Sequence, residues 1–348
     1  MNMRITKSGI KRGIKLLMLG VLAVCAATVS AQTKVGTTAA PFLGIGMGAR
    51  AIGMGGAYTA VSDDIYALYW NPAGVSQSPR IQTGFTHTDW LIGTQINWAG
   101  AIIPAGNIGS FGVAVTVLNY GTMEVTTMQQ QDGTGETFTA QDLAAQLTWA
   151  KNLTDRFSVG LTAKLINQSI YNTSATGFAL DVGFLFNTGL LKNGIKVGAS
   201  ISNFGTPMRL DGQGLTTNIA LSPNENGAPQ NIPVRFLTDE YSIPLTYRLG
   251  LSYDVLRAPE GRFTVAFDAV NPNDNTQFVN LGAEYEWKNT IFIRGGYNAI
   301  FEKEAEKAWT LGGGIKYGLG FAVIKFDYTY QRFGRLNDPQ WFTVGLDF

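Results

Sequence analysis

Phe157-Ser158-Val159-Gly160-Leu161-Thr162-Ala163-Lys164-Leu165 decides the fold. Its odd positions are apolar and its even positions are small, polar or charged. A helix would scatter these two classes around its circumference, whereas an extended strand sends alternate side chains to opposite faces. The stretch therefore predicts a strand whose two faces meet different surroundings.

The same sorting recurs along the chain. Leu245, Tyr247, Leu249, Leu251 and Tyr253 alternate with Thr246, Arg248, Gly250, Ser252 and Asp254. Leu281, Ala283, Tyr285 and Trp287 alternate with Gly282, Glu284, Glu286 and Lys288, and Ile324, Phe326 and Tyr328 with Lys325 and Asp327. From Ile81 onward about fourteen such segments follow one another, each close to the length of a transmembrane β-strand. They fall near 81–90, 94–103, 108–119, 139–149, 155–170, 176–188, 193–204, 244–255, 261–270, 276–287, 289–298, 308–317, 320–331 and 340–348.

Energetics orient the two faces. A Lys or Arg at a lipid midplane costs about 2–4 kcal/mol, and a one-residue slip in register would turn Lys164, Arg248 and other charges outward together. Their summed cost would rival the roughly 5–15 kcal/mol stability of a whole domain. The apolar parity is thus expected to face lipid, and the charged parity a lumen. Lys164, Lys196, Arg248, Arg294 and Lys316 would share that lumen with Asp181, Asp268, Glu284, Glu286 and Asp327, pairing with one another. A soluble β-sandwich also alternates, but the strand length, the even count and the greasy exposed parity argue against it. The fold class read here is all-β, a transmembrane antiparallel barrel.

Connections carry the topology. Tyr120 to Phe138, Gly205 to Ile243, Ala299 to Lys307 and Arg332 to Pro339 are long and follow odd-numbered segments. Pro104 to Asn107, Lys151 to Thr154 and Lys288 are short and follow even ones. Long outer loops and short periplasmic turns are the outer-membrane pattern, with both chain ends expected on the periplasmic side. The final strand closes on Phe348, an ending similar to the signal read by the barrel-insertion machinery.

One long segment does not alternate. Pro41 to Gly74, PFLGIGMGARAIGMGGAYTAVSDDIYALYWNPAG, is dense in glycine and alanine. Ser62 followed by Asp63 and Asp64 reads as a helix N-cap and first turn, and Asn71-Pro72 as a helix stop. A barrel of this strand number is wide enough to need filling, so the segment is expected to plug the lumen.

Arg50-Ala51-Ile52-Gly53-Met54-Gly55-Gly56-Ala57, the Asp63-Asp64 pair and Trp70-Asn71-Pro72-Ala73-Gly74 together resemble the N-terminal signature of the PorV/PorQ family. That family is a branch of the outer-membrane barrels similar to FadL. In its PorV branch the motif tends to end Pro-Ala-Lys, where this chain has Pro72-Ala73-Gly74. The resemblance implies a FadL-like barrel of the outer membrane of a Gram-negative, Bacteroidetes-like bacterium. It also implies a component of type IX secretion that receives cargo by its C-terminal domain.

The remaining chain fits an exported protein. Arg4, Lys7, Lys11, Arg12 and Lys15, then the apolar run Leu16 to Ala27 and Val29-Ser30-Ala31, form a signal-peptide pattern with cleavage expected before Gln32. A lipoprotein reading at Cys25 is opposed by Val24, because small residues normally stand there. Three regions result: a signal peptide at 1–31, a plug at 32–79 and a barrel at 80–348. Cys25, the only cysteine, leaves with the signal, so no mature thiol remains for a disulfide, a metal or a nucleophile. No later apolar run approaches the roughly eighteen residues of a transmembrane helix. With 15% charged residues and a net charge of +1, nucleic acid is excluded as a partner class.

No catalytic constellation stands out. Gly44 to Ala51 has the glycines of a dinucleotide loop but neither the strand before it nor the βαβ unit around it. His87, the only histidine, can build neither a zinc site nor a triad alone. Asp63 and Asp64 read better as helix caps than as a catalytic pair. The expectation is a non-enzymatic protein without cofactor or metal.

Two jobs are compatible with these residues. A cargo receiver would contact protein through an outer loop, with Phe236, Leu237 and Tyr241 as candidate contacts. A FadL-like transporter would pass a hydrophobic small molecule. Outer-membrane lipid is the common partner.

Overall fold

The computed structural model describes residues 36–191, 193–219, 231–302 and 305–348. The signal-peptide and cleavage expectations lie outside the described residues. Fourteen antiparallel strands close into one barrel: β1 Gln82–Asp89, β2 Gln95–Pro104, β3 Ser110–Glu124, β4 Thr137–Thr154, β5 Phe157–Ile170, β6 Thr173–Asn187, β7 Ile195–Gly205, β8 Thr246–Ala258, β9 Gly261–Pro272, β10 Phe278–Trp287, β11 Ile291–Ile300, β12 Lys307–Gly318, β13 Val323–Phe333 and β14 Gln340–Asp347. Each pairs with its sequence neighbour, and β14 closes on β1 with Asp347 opposite Gln82 and Gln340 opposite Asp89. Closure removes every sheet edge, the condition for crossing hydrocarbon with strands.

The two parities separate side chain by side chain. In β5, Ser158, Gly160, Thr162 and Lys164 are buried, while Leu161, Ala163 and Leu165 are exposed. In β8, Thr246, Gly250, Ser252 and Asp254 point in, and Tyr247, Leu249 and Leu251 point out. The expected pairing of lumen charges holds in part: Lys164 Nζ lies 2.7 Å from Asp181, Arg294 joins Glu284 and Asp327, and Glu286 pairs with Arg262 (3.1 Å), whereas Lys196, Arg248 and Lys316 have no ion pair among the described residues. Asp268 departs from that pattern, because its carboxylate accepts two backbone N–H groups, from Tyr58 and Thr59.

Turns obey local chemistry. Lys288 and Asn289, between β10 and β11, have φ of 51° and 52°, the consecutive positive values that match the twist of a tight hairpin. Two long connections are more ordered than their composition suggests. β3 runs to Glu124 and β4 starts at Thr137, which shortens the expected loop from both sides. The connection between β7 and β8 carries a small hairpin, Thr216–Ile219 against Ile232–Arg235.

The residues that lead into the plug lie at one end of the barrel. Ala39 N–H donates to Ser242 O in the β7–β8 connection (3.0 Å), Ala40 N–H to Gln168 near the end of β5 (2.8 Å), and Thr38 reaches Asp274 beyond β9 (3.5 Å). All three partners belong to the long-connection end of the barrel. At the other end of the segment, Ser76 Oγ donates to Asn152 (2.6 Å) and Gln77 to Ser158 (2.9 Å), beside the short turn between β4 and β5. Residues 38–77 therefore run the length of the lumen, from the outer mouth to the short-turn end. Their apolar side chains need cover on all sides, which only a passage through the interior supplies.

Candidate functional site

The lumen segment folds as short turns because it lacks both strand alternation and a continuous helical face. It contains a 3-10 turn at Pro41–Gly44, helices α1 Ala49–Gly53 and α2 Ala67–Trp70, and a 3-10 turn at Pro72–Gln77. Pro72 ends α2, and Asn71 caps the second 3-10 turn, its Oδ1 accepting from Ala73 N–H at 3.2 Å. Phe42, Met47, Met54, Tyr58, Leu68 and Trp70 form its core, together with Ile96, Trp98 and Trp341 from the wall. Trp70 Nε1 donates to Met47 O (2.8 Å), tying the two halves of the segment together.

Arg50 is the hub. Its Nε and one terminal nitrogen grip both oxygens of Glu284 on β10, at 2.9 and 2.8 Å. The other terminal nitrogen holds Asp63 at 2.6 Å and Asp64 at 2.9 Å. The bidentate fork fixes direction as well as distance. Arg294 on β11 then joins Glu284 (2.6 Å) to Asp327, and Arg262 on β9 joins Glu286 (3.1 Å) while lying near Asp63 (3.9 Å). The network locks plug to wall, because removing one partner would strand the others as buried, uncompensated charge.

This arrangement corrects the helix-cap reading of Asp63 and Asp64. No helix starts there; α2 begins at Ala67, and Ser62 donates its hydroxyl to Tyr58 O (2.7 Å). Asp64 Oδ1 accepts Tyr66 N–H (2.9 Å), Asp64 Oδ2 and Asp63 Oδ1 accept from Arg50 (2.9 and 2.6 Å), and Asp63 Oδ2 lies 3.9 Å from Arg262. An arginine thirteen residues upstream is not a partner that local spacing reveals.

Steric fit reinforces the charge network. A Cβ at Gly160 of β5 would fall into the backbone of Pro72 and Ala73, one at Gly183 of β6 into Asn71, one at Gly282 of β10 into Met54, and one at Gly296 of β11 into Gly55. Inward glycines thus line the wall where the plug touches it. Within the plug, Gly55 has φ +65° and lies against Leu281 and Tyr297 backbone, and Gly56 has φ +71°. Gly53 packs against Thr329, and Gly74 against Ser62 so closely that the Lys of the related motif has no room for its Cβ. Asn71 is fully buried, with Nδ2 donating to Thr59 O (2.8 Å) and Phe184 O (3.0 Å).

The structure thus brings Arg50, Gly53, Gly55, Gly56, Asp63, Asp64, Trp70, Asn71, Pro72 and Gly74 into one lumen assembly. Phe236, Leu237 and Tyr241 lie apart from it, all exposed, in the β7–β8 connection, where Tyr241 bridges to Met208. Phe348 is half exposed, and its N–H donates to Ile81 O at 2.9 Å beside the closing seam. His87 lies on β1, with Nδ1 2.8 Å from Asn97 Oδ1. Among the described residues no His, Cys, Asp and Glu cluster is arranged to hold a metal.

Comparisons place this architecture among known proteins. The chain resembles the crystal structure of the toluene transporter TodX of Pseudomonas putida, with TM-score 0.54 and 14% identity over 87% of this chain and 97% of that one. A FadL homologue of Pseudomonas aeruginosa aligns with TM-score 0.48 and 12% identity, over 85% of this chain and 96% of that one. At the identity to TodX, the likeness speaks to fold alone: a closed antiparallel β-barrel. No curated protein sequence matches. The family model described as "Type IX secretion system protein PorV" matches residues 28–232, more than half of the 348 residues. This chain therefore belongs to the PorV family of type IX secretion system proteins.

Proposed function

We propose that the protein is a non-enzymatic component of type IX secretion. Its outer mouth and loops receive exported cargo through the cargo's C-terminal domain and hand it to a surface-attachment partner. The observation that carries this reading is the latched plug: a lumen crossed by a close-packed, charge-paired segment leaves the outer face as the working surface. Phe236 and Leu237 support it, being 63% and 85% exposed on the β7–β8 connection, where apolar groups suit a protein partner. The host would be a Bacteroidetes-like Gram-negative bacterium, and the signal peptide would be cleaved before Gln32. Deleting the gene should strand C-terminal-domain cargo in the periplasm; normal display of that cargo on the cell surface would sink the proposal.

The fold shared with a toluene transporter motivates a second reading, passage of a hydrophobic small molecule. Such a site should be dry and apolar. The cavity of about 320 Å³ at the short-turn end is instead lined by Asp63, Asn152, Arg156 and Lys196 among others, and the aromatic-walled cavity at the outer end measures only about 60 Å³ and carries Arg248 and Lys307, which favours the first reading. Phe348 is proposed as the assembly signal. Its removal should lower the amount of folded barrel in outer-membrane fractions, and unchanged insertion would contradict that role.

A further inference from the structure

Most basic side chains of the lumen have a carboxylate partner: Lys164 has Asp181, Arg262 has Glu286, Arg294 has Glu284 and Asp327, and Lys325 has Asp347. Besides Lys196 and Lys316 toward the short-turn end, which have no ion pair among the described residues either, two side chains break this rule at the outer end: Arg248 of β8 and Lys307 of β12. Neither has an ion pair among the described residues, and both line a cavity of about 60 Å³ at the outer end of the lumen. Its other walls include Trp70, Trp90 and Trp341 and the amides of Asn298 and Gln331; no carboxylate lines it.

Among the described residues no carboxylate within electrostatic reach forms an ion pair with either cation, and only Asp268 keeps a buried oxygen, Oδ1, without a hydrogen-bond or ion-pair partner. Asp181 holds Lys164, Asp268 holds the plug amides of Tyr58 and Thr59, Glu302 accepts from Asn275 (2.7 Å), and Asp274 accepts from Thr38 (3.5 Å). Arg248 is held in place without an anion. Its guanidinium lies over the rings of Tyr69 (5.8 Å) and Trp70 (5.6 Å), and it donates to Ser202 Oγ (3.1 Å). The indole N–H of Trp341, fully buried in the same wall, has no acceptor. A buried donor without a partner is costly, and two cations sharing one small cavity repel each other. One anionic group would relieve all three.

We propose that this cavity binds a carboxylate presented from outside the cell, with Arg248 and Lys307 as its charge partners. The volume accommodates a carboxylate group and little more, so the rest of the ligand stays in the mouth above it. The source that fits the proposed function, and rests on it, is the terminal carboxylate of a polypeptide; a free small acid offers the same chemistry.

The test uses the full-length barrel in detergent micelles. Tryptophan fluorescence, to which Trp70, Trp90 and Trp341 contribute, and calorimetry would track titration with propionate against propionamide. They would also track acetyl-pentaalanine as free acid against its C-terminal amide. Both acids should bind in preference to their amides, with affinity falling as salt rises. Arg248→Gln and Lys307→Gln should each weaken acid binding by roughly tenfold or more, the loss expected for a charge-assisted contact. Arg248→Lys should recover part of it, and heat-modifiable migration in gels would verify that each variant folds. Binding of propionate without the peptide acid would keep the carboxylate site and count against the polypeptide source. Equal binding of acids and amides, or unchanged affinity in both folded Gln variants, would overturn the proposal.

Discussion

The middle of the lumen and its outer mouth handle charge in opposite ways. At mid-lumen Arg50, Arg294 and Glu284 are joined at hydrogen-bond distance with their other carboxylate partners. At the mouth Arg248 rests on aromatic rings, and Lys307 has no ion pair among the described residues. The first arrangement consumes its charge in holding two parts of one chain together. The second leaves charge free for something else. Burial alone therefore does not tell a structural ion from a binding one; the completeness of its pairing does.

Three experiments would break or sharpen that contrast. The largest effect is expected from Arg50→Ala, which leaves Asp64 without an ion pair, takes from Asp63 its hydrogen-bonded cation and from Glu284 one of its two hydrogen-bonded guanidinium partners, and should destabilise the plug by about 3–5 kcal/mol. Conductance in planar bilayers should rise, and an unchanged trace would mean that packing alone holds the plug. Gly160→Val should act next, by about 1–3 kcal/mol, because its side chain enters the backbone at Pro72. A lower unfolding temperature in micelles with the Arg50 network intact would separate fit from charge, and wild-type stability would remove the steric argument.

The smallest effect belongs to the outer β13–β14 connection. There Asp338 accepts from the Tyr330 hydroxyl, from Phe333 N–H (2.7 Å) and from Arg332 (2.8 Å), which together hold its carboxyl below the ordinary 3.8. A depressed folded-state value means that the contribution is present above the ordinary carboxylate range and fades as pH falls through the folded value. Proteolysis of residues 334–339 should accelerate below about pH 3.8 while the barrel persists. Asp338→Asn should mimic this at neutral pH, and a pH-independent cleavage rate would refute it.

Strands, faces and barrel closure were legible because lipid imposes a period of two over residue after residue. The sorting of Ser158 and Lys164 from Leu161 and Leu165 needs only neighbouring positions. The latch was not legible, because Arg50 meets Glu284 across 234 residues and no local pattern encodes that distance. Asp63 and Asp64 were misread for the same reason: their local setting suits a cap, and the partner that overrides it is brought in by the fold. One signal does report the contact from sequence. Gly160, Gly183, Gly282 and Gly296 all occupy inward positions of their strands, and glycine recurring on a lumen face announces that backbone from elsewhere will press against it.

The lengthwise course of residues 38–77 also bears on how the protein comes into being. With the wall cut away to glycine where Pro72, Asn71 and Met54 press against it, a finished cylinder has no clearance through which Trp70 and its neighbours could be drawn afterwards. The expected order is that β1 and β14 zip together late, around a segment already lying inside. Biogenesis would then be a wrapping event, with closure waiting on the correct seating of the interior.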